Sequence, residues 1–91
     1  MRLRWTPEAA NDLESISDYL LEQHPQLAQP TVRRIYAEIK ELSRLPVRGR
    51  MGRELGTREL VLTGLPYIVV FRANDARVEI LRIFHGRQDR A

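Results

Sequence analysis

The residues best suited to chemistry lie in the last third of the chain, where His85 and Arg87 stand two positions apart at the end of an apolar run. General acid–base cleavage of a phosphate ester requires a base, an acid and a cation that stabilises the phosphate. His85 and Arg87 have the chemistry for two of these roles, and Arg58 or Arg82 has the chemistry for the third. A lone histidine at a strand end is more often a structural hydrogen-bonding residue, and Arg58 also suits a cross-strand ion pair.

Arginine dominates the positive charge of the chain and is unevenly placed. Residues 47–91 carry nine arginines and five acidic residues, a net +4, whereas residues 1–46 carry six basic and seven acidic residues, a net −1. Guanidinium groups form bidentate contacts with carboxylate or phosphate. The C-terminal half is therefore predicted to bind something anionic, either a nucleic acid or an acidic protein segment. The residues expected to touch that target are Arg82, His85, Arg87 and Arg90.

No cofactor or metal site is predicted. His24 and His85 are far apart, and no acidic residues are paired with them at ligand spacing. The glycine-rich stretch VRGRMGRELG lacks the GK[ST] and GxGxxG patterns of nucleotide-binding loops. The length of 91 residues indicates one domain spanning residues 1–91. Because there is no cysteine, no signal-peptide pattern and no apolar run longer than Tyr67–Phe71, we expect a cytoplasmic protein with no membrane association.

The first half of the chain predicts a strand followed by two helices. Arg2–Trp5 alternates polar and apolar residues, and Thr6-Pro7 gives an N-cap hydroxyl and a proline at the first helical position. Apolar residues then recur at helical spacing until His24-Pro25, and again over a second helix predicted from Ala28 to Leu45. Pro46 ends the second helix. The two helices should form a hairpin with one apolar stripe on each.

The second half predicts a loop and a three-stranded meander. Residues 47–56 have no periodicity and read as a mobile loop. The strands are expected at Thr57–Thr63, Tyr67–Ala73 and Arg77–His85, separated by turn-forming residues. The apolar run Tyr67–Phe71 predicts a central strand covered on both faces. Simple alternation in the last strand divides its residues into two faces: Val78, Ile80, Arg82 and Phe84 on one, and Glu79, Leu81, Ile83 and His85 on the other.

The fold class is therefore α+β: an N-terminal strand and a helix hairpin packed on a small antiparallel sheet, in the order β-α-α-β-β-β. Four segments of the chain resemble the RelE/ParE superfamily of bacterial toxins: WTPEAANDLESISDYL, GRMGRELGTREL, PYIVVFR and ILRIFHGRQDR. The resemblance covers nearly the whole chain. It implies the same fold, growth arrest as the activity, and a hetero-oligomer with a cognate antitoxin that neutralises the toxin.

The superfamily contains two chemistries. RelE-like members are ribosome-dependent endoribonucleases that cleave mRNA, and ParE-like members act on DNA gyrase. This chain departs from the RelE pattern, because Ile68 stands where an arginine is expected and no tyrosine follows the last strand. His85 and Arg87 match basic positions of the nucleases. The ParE-like interpretation fits better, the RelE-like endoribonuclease is the alternative, and Arg58, His85 and Arg87 are the catalytic candidates of that alternative.

Two further expectations concern partners. The apolar groove between the hairpin and the sheet should bind an acidic, amphipathic antitoxin segment, because so short a chain cannot bury both helix stripes and a two-sided sheet alone. The residues assigned to that contact are Leu13, Ile16, Leu20, Ile35, Ile39 and Arg58. A non-toxic nucleic-acid-binding relative is the second alternative; it requires a contiguous basic stripe, and the interleaved acids Glu54, Glu59 and Glu79 argue against one.

Overall fold

The computed structural model describes residues 1–87. Its elements are β1 (Arg2–Trp5), α1 (Pro7–Gln23), α2 (Pro25–Glu41), β2 (Arg50–Met51), β3 (Arg58–Val61), β4 (Tyr67–Ala73) and β5 (Arg77–His85). The predicted bounds of β1, β4 and β5 are confirmed, and β3 is shorter than predicted. Within the described residues, no helix combines the length and the apolar character that crossing a membrane requires.

The five strands form one sheet in the order β1-β5-β4-β3-β2. β2 to β5 pair antiparallel with their sequence neighbours, whereas β1 pairs parallel with β5, Leu3 opposite Val78. The α+β class and the element order are confirmed. The prediction of an antiparallel sheet is wrong in this one pairing. Because the hairpin and three strands separate β1 from β5 in sequence, no tight turn dictates their relative direction.

The first helix begins where it was predicted, whereas both ends of the second helix differ from the prediction. The hydroxyl of Thr6 accepts a hydrogen bond of 3.1 Å from the backbone N–H of Ala9 and caps α1. α2 starts at Pro25, three residues earlier than predicted, since proline suits the first helical position. α2 also ends at Glu41 instead of Leu45, and the chain continues in i→i+3 turns towards Pro46. Pro30 consequently lies inside the helix.

The glycine-rich segment is more regular than predicted. Arg50 and Met51 form the short edge strand β2, which pairs with Glu59 and Arg58. Gly49, with a φ of +93°, approaches β3 so closely that an added Cβ would lie 2.5 Å from the carbonyl oxygen of Glu59. The mobile-loop prediction for residues 47–56 is therefore wrong for this pair of residues, because glycine permits a close backbone approach that periodicity does not reveal.

A β-bulge changes the faces of β5. Val70 pairs with Arg82 while Phe71 pairs with Ile80, so Leu81 is the extra residue. Upstream of the bulge the buried residues are Val78 and Ile80, and downstream it is Ile83. Simple alternation was therefore wrong beyond Leu81. Ile83 and His85 share the helix-covered face with Val78 and Ile80, and Arg82 and Phe84 lie on the opposite face.

The hydrophobic core lies between the helix hairpin and one face of the sheet. β4 alternates between buried residues, Tyr67, Val69 and Phe71, and half-buried ones, Ile68 and Val70. The prediction that both faces of this strand are covered is thus wrong, because the helices cover only one. The helices contribute fully or nearly fully buried side chains to the core: Ala9, Leu20, Ala28, Ile35, Ile39 and Leu42.

Candidate functional site

His85 is the last residue of β5 and pairs with Tyr67 across the sheet. The two rings meet edge to face with centroids 5.8 Å apart. Nδ1 of His85 accepts a hydrogen bond of 3.2 Å from the backbone N–H of Arg87, which places the proton of the neutral ring on Nε2. The local geometry of His85 is thus that of a hydrogen-bonding strand-end histidine.

A cleft of about 540 Å³ opens beside His85, between α1 and the ends of β4 and β5. We call it the His85 cleft; its lining is Asp12, Ser15, Ile16, Tyr19, Leu20, His24, Pro66, Tyr67, Ile83 and His85. Burial, and secondarily the charge of a deprotonated Tyr19, raises the pKa of Tyr67 above its usual value of 10.0. Two histidines and two tyrosines therefore meet here, but Arg58 and Arg82 are absent from the lining.

Arg58 lies far from His85. It pairs with Phe71 at one end of β4, whereas His85 pairs with Tyr67 at the other. Tyr67 and Phe71 are four residue steps apart along β4, or about 13 Å at the usual rise. Arg58 also donates a hydrogen bond of 3.4 Å to the carbonyl oxygen of Val47. The structure therefore does not bring Arg58 and His85 into one site.

Arg82 is held by a carboxylate on α1. Its Nε and Nη2 donate to the two carboxylate oxygens of Asp12 at 2.8 and 3.2 Å, and its guanidinium lies 4.9 Å from the centroid of the Phe84 ring. The hydrogen bond to Asp12 raises the pKa of Arg82 further, although burial opposes the shift. Asp12 also accepts the backbone N–H of Ile83 at 2.8 Å. Asp12 thus fixes the bulge of β5 and the direction of Arg82.

Asp12 escaped the sequence analysis because 70 positions separate it from Arg82. An acid within an amphipathic helix looks like part of the solvated face, and nothing local distinguishes it. The burial of Glu59 was not predicted either: it is 4% exposed, and Arg50, nine positions earlier, binds its carboxylate at 3.1 Å. Both acids neutralise arginines that the sequence offers as binding groups.

The other predicted target residues are less constrained. Arg87 is exposed in the turn after β5, and its side chain makes no ion pair with any residue from 1 to 87. Arg90 lies outside the described residues. Ile68, at the position where the nucleases have an arginine, is half-buried on the face of the sheet away from the helices. That position offers no charge to a phosphate.

The residues assigned to an antitoxin divide by burial. Ile35 and Ile39 are fully buried, and Leu20 is nearly so, because all three face the sheet from the hairpin. Assigning Ile35 and Ile39 to partner contact was an error, since a partner cannot reach them, whereas Leu20 also lines the His85 cleft. Leu13 and Ile16 are half-buried at the edge of the core. Leu13 lines a groove with Trp5 and Tyr36, whose rings stack 5.7 Å apart, and Ile16 lines the His85 cleft.

A two-helix hairpin on one face of a five-stranded mixed sheet matches the fold of the RelE/ParE superfamily toxins. Two solved structures align with almost the whole chain. A chromosomal ParDE toxin–antitoxin system from P. aeruginosa matches with a TM-score of 0.84 and 33% identity, covering 93% of this chain and 95% of that one. The toxin–antitoxin complex RelBE2 from Mycobacterium tuberculosis matches with a TM-score of 0.59 and 28% identity, covering 92% and 95%.

Sequence comparison narrows the class further. The model of the family described as ParE toxin of type II toxin–antitoxin system, parDE, matches residues 3–90. The protein named "Putative toxin Y4kP" from Sinorhizobium fredii (strain NBRC 101917 / NGR234) is 40% identical over 87 residues, which are 96% of this chain and 90% of the relative. The chain belongs to the ParE toxin family.

Proposed function

We propose that this ParE-family toxin acts on DNA gyrase, and that a cognate antitoxin neutralises it by forming a hetero-oligomer with it. The observation that carries the choice of gyrase over messenger RNA is the dispersal of the residues that RNA cleavage would need. His85 borders the His85 cleft on the helix side of the sheet, Arg58 lies on β3 opposite Phe71, about 13 Å along the strands from His85, and Arg82 lies on the other face. Acid–base cleavage requires these groups around one phosphate.

The cationic side chains nearest to the end of β5 suit a binding role. Arg82 is fixed by Asp12, yet its side chain is 46% exposed. Its exposed guanidinium atoms can therefore contact a partner while the ion pair with Asp12 is kept. Arg87 is exposed three residues after Phe84. Rigid arginines beside an aromatic ring are typical of protein–protein contacts. We therefore assign Arg82, His85 and Arg87 to the contact with gyrase, together with Arg90, which the structure does not describe.

The test is plasmid supercoiling by purified gyrase in the presence of the purified chain. We expect inhibition, and linear DNA after protein digestion if the broken intermediate is trapped. Arg82→Gln and Arg87→Gln should each raise the half-inhibitory concentration about tenfold, the loss of one charge-assisted contact. Arg33→Gln is the matched control, because Arg33 is an exposed arginine on α2 that is not among the residues assigned to gyrase.

RNA cleavage is the outcome that would contradict the proposal. Primer extension on ribosome-bound message should show no cuts that depend on the chain. Cuts in phase with codons that disappear in His85→Ala and in Arg87→Ala would instead assign the chain to the ribosome-dependent endoribonucleases. Gyrase activity unaffected by the parent chain, at concentrations that arrest growth, would also reject gyrase as the target.

Neutralisation by an antitoxin is supported by the two solved relatives, both of which are described as toxin–antitoxin systems or complexes. Leu13 and Ile16 remain available to such a partner at the borders of the groove and the His85 cleft. Co-expression with the product of the adjacent reading frame should yield a stable complex and restore growth. Leu13→Asp should weaken that complex. Ser17→Asp, which adds the same charge to the wall of the same groove, is the control and should weaken it less.

A further inference from the structure

Four arginines from the two ends of the chain meet on the face of the sheet that the helices leave open. Parallel pairing of β1 with β5 places Arg2 opposite Arg77 and Arg4 opposite Glu79, and antiparallel pairing places Arg72 on the other side of Glu79. Their strand neighbours Leu3, Trp5, Val78 and Ala73 pack towards the core, so alternation directs the arginines outward. All four are exposed. We call Arg2, Arg4, Arg72 and Arg77 the arginine cluster.

The cluster retains most of its charge. Glu79 is the acid among these positions, and it contacts Arg4 at 2.5 Å and Arg77 at 3.8 Å. Four positive charges around one negative charge leave a net +3. Asp75, in the adjacent turn, is exposed and makes no ion pair with the cluster or with any other residue of the described chain. The side chain of Glu79 is only 17% exposed, so a ligand on this face meets mainly guanidinium groups.

Stability of the sheet does not explain this arrangement. Like charges directly opposite each other in neighbouring strands are destabilising, and Arg2 and Arg77 are such a pair. The chain also makes no use of Arg72 or Arg2 in an ion pair within residues 1–87. A repulsive cluster on a rigid surface indicates a ligand that neutralises it.

The character of the surface distinguishes nucleic acid from a protein partner. The apolar residues of the open face are Ile68, Val70 and Phe84; Val70 lies in the middle of β4, two positions from Arg72, and Ile68 and Phe84 lie farther away, towards the other end of the β4–β5 pair. The cluster itself contains no apolar or aromatic side chain. Protein–protein interfaces need an apolar core, whereas interfaces with DNA are polar and strongly positive. Single-stranded nucleic acid requires aromatic side chains for base stacking along the cationic track.

We propose that the arginine cluster binds the phosphate backbone of duplex DNA without reading its sequence. Four guanidinium groups, projecting from three adjacent strands, present bidentate donors to phosphate oxygens and have no base-reading helix beside them. This activity goes beyond inhibition of gyrase and does not depend on it. It would place the toxin on the DNA to which gyrase also binds, and so raise the local concentration of the toxin near gyrase.

The test is fluorescence anisotropy of a short labelled duplex of mixed sequence, titrated with the full chain in the absence of gyrase. We expect a dissociation constant of about 10⁻⁴ to 10⁻⁶ M and a loss of affinity as salt rises from about 50 to 200 mM. The double variant Arg72→Gln/Arg77→Gln should bind about tenfold more weakly or worse, and its salt slope should fall by about 1.8, since each phosphate contact contributes about 0.9.

The matched control is Arg33→Gln/Arg44→Gln. It removes the same charge, and it likewise combines an arginine that makes no ion pair within residues 1–87, Arg33, with one paired to a glutamate, Arg44 with Glu41. This control should bind DNA like the parent chain. Equal losses in both double variants would show that net charge alone attracts DNA and would overturn the proposal. Unchanged binding in Arg72→Gln/Arg77→Gln would also overturn it.

Two further binding experiments distinguish duplex DNA from other polyanions. Polyglutamate should compete poorly with the duplex at equal charge concentration; equal competition would mean that the cluster recognises acidic protein segments and not DNA. Single-stranded DNA should bind more weakly than duplex, and tighter binding would reject the duplex assignment. Arg2→Gln/Arg4→Gln, on β1, should repeat the loss. Since all four side chains are exposed, thermal melting is expected to change little in these variants.

Discussion

The two faces of the sheet serve different purposes, and β4 contributes to both. Tyr67, Val69 and Phe71 point into the core beneath the helix hairpin and are at most 7% exposed. Ile68 and Val70, between them, remain half-exposed, and Arg72 is exposed. The helix-covered face therefore determines whether the chain folds. The open face carries exposed cationic side chains and half-buried apolar ones, which are accessible for binding.

Each face of the sheet carries one phenylalanine, and replacing these two residues should give the largest difference in the free energy of unfolding. Phe71→Ala removes a fully buried ring from the core and should lower the free energy of unfolding by about 3–5 kcal/mol. Such a loss threatens a domain of this size. Phe84→Ala removes a half-buried ring from the open face and should cost clearly less, about 1–2 kcal/mol, because water already reaches it. Thermal or urea unfolding of both variants measures the difference.

Comparable losses in the two phenylalanine variants would show that the open face is as well packed as the covered one. Val69→Ala, in the same strand and fully buried, serves as an internal standard for the covered face. The effect on gyrase inhibition should have the opposite order: at equal concentrations of folded protein, Phe84→Ala should weaken inhibition more than Phe71→Ala. Phe84→Ala removes the ring beside Arg82 and should weaken inhibition. Retention of full inhibition would show that the ring is not needed to position Arg82 for the proposed gyrase contact.

The sequence predicted the elements of this fold because their signals are local. The Thr6 cap, the helical spacing of apolar residues and the turns beside β4 act within a few positions, and the structure reproduces β1, β4 and β5 to the residue. The parallel direction of β1 depends on its pairing with β5, and the bulge at Leu81 in the β4–β5 pair is accompanied by the contact of Asp12 with the Ile83 N–H, so both involve residues far apart in sequence. Local periodicity carries no information about such contacts.

The site was harder to predict than the fold for the same reason. Charge counting found an arginine-rich C-terminal half but could not identify which arginines are neutralised, because Asp12 and Glu79 act across strands and helices. It also separated Arg2 and Arg4 from Arg72 and Arg77, although β1 lies beside β5. Acids interleaved in the sequence argued against a contiguous basic surface. In the folded sheet, Glu59 and Glu79 are largely covered and the arginines remain exposed.

Asp12 connects the two faces, and replacing it should have an intermediate effect. Asp12→Ala removes the acceptor of the Ile83 N–H and of two donors of Arg82, and should lower the free energy of unfolding by about 1.5–3 kcal/mol. Asp12→Asn keeps an amide oxygen for the Ile83 N–H and should cost less, about 0.5–1 kcal/mol. Chemical denaturation gives both values.

Asp18→Asn is the control for the Asp12 variants, because Asp18 is exposed on the same helix. It should leave stability within about 0.5 kcal/mol of the parent chain. If Asp12→Asn costs as much as Asp12→Ala, the ion pair with Arg82 carries the stabilisation and the backbone bond to the bulge is secondary. If neither variant differs from the Asp18 control, Asp12 does not connect α1 to β5.

The smallest expected effect concerns alkaline pH and the covered end of β4. Burial raises the pKa of Tyr67 above its ordinary value of 10.0, so the folded chain holds the phenol proton more tightly than the unfolded chain does. This contribution to stability is fully present below pH 10 and is lost as the pH rises through the raised pKa. Tyr67→Phe cannot ionise, so its stability should fall less steeply than that of the parent between about pH 9 and 11. Tyr36→Phe is the control: its ring is half-exposed on α2, and its stability should decline with pH as steeply as that of the parent. Thermal melting at each pH measures the decline. Parallel curves for Tyr67→Phe and the parent would show that water reaches the Tyr67 phenol freely through the His85 cleft.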